Sequence, residues 1–171
     1  YADNYLIDVK CGIIMDVEAS RAVRQAEVGA AKTMIDRTAD RFGLRPERLA
    51  GDTAYGSAEM LNWLVEERQI APHIPVIDKS ARRDGTFARE DFRYNHDSDT
   101  YTCPAGKTLV TSGTLVNDGT TLLYRGSTMD CGTCRFKGQC CPNTPARKIP
   151  RSLHEGARDL ARSLAGTPAF E

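Results

Sequence analysis

The sequence predicts an α/β fold, a mixed sheet with flanking helices joined to a small cysteine-rich insertion of irregular or β structure. Three observations predict it. Apolar residues alternate with period two on either side of Gly12. Helix-spaced apolar stripes and short apolar runs then take turns up to residue 78. Five of the six cysteines fall within residues 103–141, a stretch rich in Gly and Thr.

The elements follow in order. In YLIDVKCGIIMDVEAS, Tyr5, Ile7 and Val9 alternate with Leu6, Asp8 and Lys10. Ile13, Met15 and Val17 alternate in the same way with Ile14, Asp16 and Glu18, so the stretch reads as a hairpin. AEVGAAKTMIDRTADRF is helical: Ala31, Met34, Ile35, Thr38 and Phe42 recur at helical spacing, and Gly43 stops the helix. A short strand is expected over residues 49–52. A helix over 57–69 is capped by Ser57, with Met60, Leu61, Leu64 and Val65 as its apolar stripe. PHIPVID (72–78) reads as a strand with Ile74 and Val76 on one face, its prolines marking an edge or the strand ends.

Composition changes after Asp78. Residues 79–102 are polar and charged and read as a loop, and KTLVTS and TLLYRGS are short β-like pieces. SLHEGARDLARSLAGTP returns to helix. Ser152 and Glu155 suggest a capping box, Leu153, Ala157, Leu160, Ala161 and Leu164 the stripe, and Gly166 and Pro168 the end. The expected division is a partial core over 1–78, a cysteine-rich insertion over 79–150, and a helix over 151–171 leading back to the core.

A chain of 171 residues has room for one domain with a sizeable insertion. Hydrophobic residues are 40% and charged residues 27%, as in a globular protein. No apolar run approaches the roughly 20 residues that span a bilayer, and no leader of basic and apolar segments opens the sequence. A cytoplasmic, reducing location without a membrane partner is therefore expected. The net charge of zero hides an asymmetry. Residues 1–78 carry 9 Lys/Arg against 13 Asp/Glu, whereas residues 145–162 carry 5 (Arg147, Lys148, Arg151, Arg158, Arg162) against 2. The basic segment permits DNA binding and equally suits a solvated helix face.

Two places carry chemistry. Asp52 follows Gly51 at the carboxyl end of a predicted strand, the edge where open α/β sheets bind ligands. Gly51 would allow close approach of a substrate or metal, and Asp is a hard oxygen ligand of the kind Mg²⁺ takes. Read alone, Asp52 is better explained as a turn residue bonding nearby backbone N–H groups. The second place is the cysteine cluster. Cys131-x₂-Cys134 is a chelating turn, Cys140 follows after five residues, and Cys103 stands upstream. Four sulfurs would close a structural Zn²⁺ site, favoured over an iron–sulfur cluster and over unligated thiols. Cys141 is the spare or a substitute for Cys140. Cys11, His73, His96 and His154 read as local residues, and Asp8, Asp16 and Glu18 as outward-facing strand residues.

Set in this β-β-α-β-α-β order, GDTAYGS resembles the second catalytic segment of the DDE transposases of bacterial insertion sequences. YLIDVKCGIIMDVEAS ahead of it, IAPHIPVIDKSARRDGTF behind it, and YTCPAGKTL, DCGTCRFKGQCCPN and RSLHEGARDLARSLAGTPAFE extend the likeness over essentially the whole chain. It looks like the subgroup whose RNase H-like core carries a cysteine-bearing insertion. The resemblance implies a partial RNase H-like mixed sheet and an enzyme that cuts and joins DNA ends. In that family three carboxylates hold two Mg²⁺ ions for phosphodiester hydrolysis and strand transfer.

Carried over by position, the resemblance assigns one catalytic residue here, Asp52, as the second carboxylate, and reverses the preference for a plain turn. The first Asp is expected upstream of Tyr1, and the Glu on a Lys/Arg-rich helix beyond Glu171. Tyr55 is expected to pack under the loop. The chain is thus expected to be an internal fragment of a transposase, inactive alone, with DNA ends and target as partners and homo-oligomers in the complete protein. Two other readings stand beside it: a zinc-stabilised DNA- or protein-binding module without catalysis, and a nuclease with the same core.

Overall fold

A computed structural model describes residues 1–77, 82 and 84–167. The chain is mixed α/β and separates into two compact units, one of residues 1–77 with the chain from 156 onward, the other of 78–155.

The first unit opens with β1 (Ala2–Asp8) and β2 (Ile13–Ser20), an antiparallel pair with an irregularity between Leu6 and Ile7. Gly12 sits at φ 66° in the turn, and Asp8 Oδ1 accepts from the Lys10 and Cys11 N–H groups. Asp8 is therefore a turn-bonding residue rather than a plain outward one. Asp16 and Glu18 also depart from expectation. Register and twist aim them at helix α1 (Arg24–Phe42), where Arg37 pairs with Asp16 at 2.6 Å and Glu18 at 2.8 Å. The hydrogen bond from Arg37 holds the Asp16 carboxyl below the usual carboxylate range. Tyr5, Ile7 and Val17 are left on the exposed face.

Helix α1 buries Ala30, Met34, Ile35 and Thr38, and ends where Gly43 at φ 66° donates its N–H to Ala39 O. Phe42, expected in the stripe, is exposed, because it belongs to the last turn beyond the core. β3 (Arg48–Ala50) pairs in parallel with β4 (Ala71–His73), and this pair is not hydrogen-bonded to β1–β2. The expected single mixed sheet is therefore two strand pairs. The strand predicted over 72–78 ends at His73, since Pro75 cannot extend the ladder. Asp78 lies outside the described residues.

Between β3 and β4, Ser57 Oγ caps helix α2 (Ala58–Asn62) by accepting from Met60 N, as expected. The expected continuation to residue 69 is a π-helical turn (Trp63–Glu67), where Arg68 N reaches back to Trp63 O. The widened turn buries Trp63 with Met60, Leu61 and Leu64, and leaves Val65 only partly covered. Arg68 and Lys32 stand over the Trp63 ring at 4.7 and 5.0 Å. The core of this unit joins these residues to Ile35, Ile70, Ile74, Ala157 and Ala161. The last two belong to α5 (Glu155–Ala165), whose Leu160 is exposed. The predicted stop Pro168 lies outside the described residues.

The second unit is built on a five-stranded antiparallel meander, β5 (Arg93–Asn95), β6 (Thr100–Thr102), β7 (Thr108–Val116), β8 (Thr121–Arg125) and β9 (Lys148–Ser152). The loop expected over 79–102 thus contains two strands. Tyr94 faces Tyr101 across them, and cross-strand aromatic pairing outweighs the polar composition. Tyr94, Tyr101 and Tyr124 pack on one another with Phe92, Leu109 and Ile149. Ser152 Oγ accepts from His154 N, and Glu155 pairs with Arg89 at 2.6 Å.

Asp99 accepts from both Tyr124 and Tyr94 hydroxyls, and these bonds, Tyr124 first, hold its carboxyl below the usual range. A depressed carboxylate contributes stability that is present above its unfolded pKa of about 3.9 and is lost as pH falls through the folded value. The thermal midpoint of the protein should therefore drop on acidification below about pH 4. Asp99→Asn should flatten that part of the profile, because Asn tolerates the positive φ at this position. An unchanged profile in Asp99→Asn would remove the Asp99–Tyr124 bond from the acid response.

Candidate functional sites

Asp52 leaves β3 at its carboxyl end and caps a 3₁₀ turn (Thr53–Tyr55), its Oδ1 accepting from Ala54 N at 2.7 Å. The side chain is exposed. It bonds the turn, as the turn reading expects, and its carboxylate lies just beyond the carboxyl end of β3. Tyr55 packs beneath, half-buried, with its phenol pushed up by burial and then by Glu27 and Asp52. Gly51 does not open the space expected of it. A Cβ there would lie 3.4 Å from the Tyr55 ring and 3.5 Å from Ile74, so this side of the backbone faces the core. The close approach occurs at Gly56 instead, where a Cβ would fall 2.0 Å from Pro75 O. The sequence signal for Gly56 was present in TAYGS, but only the packing of residues 75–77 against it shows why no side chain fits.

The second unit gathers the cysteines. Cys103, Cys131, Cys134, Cys140 and Cys141 all line one cavity of about 30 Å³, together with Lys107, Asp130, Lys137 and Arg147. Cys103 follows β6, in a turn closed by Gly106 N to Cys103 O and by Gly106 at φ 78°. Cys131 is carried by α3 (Thr128–Gly132), capped by Ser127, and Cys140 by α4 (Lys137–Cys140). Burial pushes the Cys131 thiol up and the Cys140 thiol to about 11. All six cysteines are free thiols, and Cys11 lies apart in the exposed hairpin turn. Among the described residues, no three His, Cys, Asp or Glu side chains stand close enough together, as they are, to hold a metal ion.

Arg147 lies in the basic segment expected either to bind DNA or to face solvent. It is 7% exposed, and Arg151 in the same segment is 8% exposed. Arg147 donates to Cys140 O and Phe87 O, while Arg151 donates to the Tyr101 hydroxyl and covers the Tyr94 ring. Arg158 bonds Ile77 O and Arg162 pairs with Asp159. The basic run is thus spent largely on internal bonds, which a charge count cannot reveal. His96 packs edge-on against Tyr94, and His73 lies on β4. No helix among the described residues is long and apolar enough to cross a membrane. Comparison with protein-family models, curated proteins and solved structures finds no match.

Proposed function

We propose that the chain is part of a DDE-type DNA transposase, with Asp52 as one of the carboxylates of the complete catalytic centre. The observation that carries this reading is the exposed carboxylate at the carboxyl end of a parallel strand, within a β-β-α-β-α-β order. Two further features support it. The β1–β2 and β3–β4 pairs are not joined, and Tyr5, Ile7 and Val17 are exposed on the hairpin, where a complete core would place additional chain.

The residues of this chain do not by themselves fit a two-metal centre, because no metal-holding group forms around Asp52 among the described residues. What the chain contributes is the position of one carboxylate, oriented by the Ala54 N–H on a turn anchored at Gly56.

The test uses a complete protein containing this segment, with supercoiled donor DNA and end-cleavage and strand-transfer products as the readout. Asp52→Asn should lower both by at least about a thousandfold while folding and DNA binding persist. Activity within a few-fold of the parent would overturn the assignment. The competing reading, a binding module without catalysis, draws on the thiol cavity of the second unit, and it predicts that Asp52→Asn changes no function of the complete protein.

A further inference from the structure

The thiol cavity contains an imbalance of charge. Arg147 is buried and lines the cavity, yet its bonds go to neutral carbonyls, at 2.9 Å to Cys140 O and 2.8 Å to Phe87 O. Its Nε has no hydrogen-bond partner, and the Asp84 carboxylate attracts the guanidinium while Arg82 opposes it. Lys137 also lines the cavity and directs Nζ at Cys141 Sγ, at 3.5 Å, and at two backbone carbonyls. Lys107 and Asp130, at the same cavity, pair at 3.2 Å and cancel each other. Two cations, Arg147 and Lys137, therefore stand at the cavity beside Cys141, which is buried, and four half-buried cysteines. A buried charge without a counter-charge is costly.

Two of the sulfurs also accept backbone N–H groups. Lys107 N–H points at Cys103 Sγ (3.3 Å) and Phe136 N–H at Cys134 Sγ (3.4 Å). Cys131 and Cys141 meet at the same cavity. Gly126 leaves room for the Cys131 sulfur, since a Cβ there would come within 3.0 Å of it. The cavity has the volume of one or a few water-sized occupants, which suits an ion and excludes an organic cofactor.

We infer that this cavity is a structural site for one tetrahedral soft divalent cation such as Zn²⁺, bound by Cys103, Cys131, Cys134 and one sulfur of the Cys140–Cys141 pair. The ligand side chains turn inward on binding. Four thiolates and a divalent ion sum to a net charge of minus two, which Arg147 and Lys137 offset. The adjacent Cys140 and Cys141 both reach the cavity, so either one completes the set. Arg147 is a positioning and charge-balancing residue, not a ligand. This inference is independent of the transposase reading, because it rests only on residues of the second unit.

The full chain, purified under reducing conditions and stripped of metal, should be titrated with Co²⁺. One equivalent should bind per chain, with thiolate-to-cobalt charge transfer and the d–d bands of a tetrahedral ion, and Zn²⁺ should displace it. Cys103→Ser, Cys131→Ser and Cys134→Ser should each abolish the tetrahedral spectrum. Cys140→Ser and Cys141→Ser should each retain it, and the double variant should lose it. Cys11→Ser should bind as the parent does. Arg147→Met should weaken Co²⁺ binding at least about tenfold, with the tetrahedral spectrum kept. A folded parent chain that takes up no cobalt would overturn the inference. So would binding retained in Cys131→Ser, or a bound iron–sulfur cluster carrying inorganic sulfide.

Discussion

Gly56→Ala should destabilise the first unit by about 3 kcal/mol or more, at or beyond the upper end of ordinary overpacking. The added Cβ would sit 2.0 Å from Pro75 O and 3.0 Å from Ile77 N, and both contacts are with backbone. No rotamer relieves them. The chain after β4 must move, and the Ile77 N to Gly56 O bond of 2.9 Å is lost with it. The same segment carries Ile74, which is fully buried in the core with Leu61 and Leu64. Denaturant unfolding measures the effect, and Gly29→Ala is the matched control. Gly29 lies within α1 with nothing near its Cβ position, so alanine there should stabilise by about 0.5–1 kcal/mol. Equal effects at the two positions would show that the 75–77 backbone yields freely.

Glu155→Ala should cost about 3–5 kcal/mol, by breaking a buried ion pair from one side. Glu155 is 1% exposed, and its carboxylate lies 2.6 Å from Arg89 Nη1. Removing the carboxylate leaves a cavity and takes the counter-charge from a guanidinium whose side chain is only 17% exposed. Glu155→Gln keeps the volume and isolates the charge, so it should recover part of the loss. The double variant with Arg89→Ala should be less unstable than the sum of the single variants. Additive effects in that cycle would show that Arg89 and Glu155 contribute independently.

Much of the first unit was legible because local rules agree there. Period-two alternation around Gly12, a helix ended by Gly43, and Ser57 as a cap each depend on neighbours within a few residues. The errors occur where partners are remote. Asp16 and Glu18 looked like solvent-facing strand residues because Arg37, some twenty positions away, is invisible to a pattern. The strands of residues 93–102 looked like a loop because their stability comes from a tyrosine cluster that includes Tyr124. Arg147 falls in a basic run that by charge suits DNA binding or a solvated helix face alike, and its burial beside the thiols follows from the folding of β9 against β8.

Gly51, Asp52 and the cysteine spacing mark the two places of chemical interest from residue type and order alone. Chelating turns and strand-end carboxylates are local features that a linear sequence carries. Tertiary structure alone decided what surrounds them. Gly56 is where an added Cβ would strike backbone, Gly51 faces the core, and five sulfurs share one cavity with a buried guanidinium. The reason is physical: burial, charge balance and steric contact are set by residues far apart in the chain, and these meet only once the strands and helices have packed.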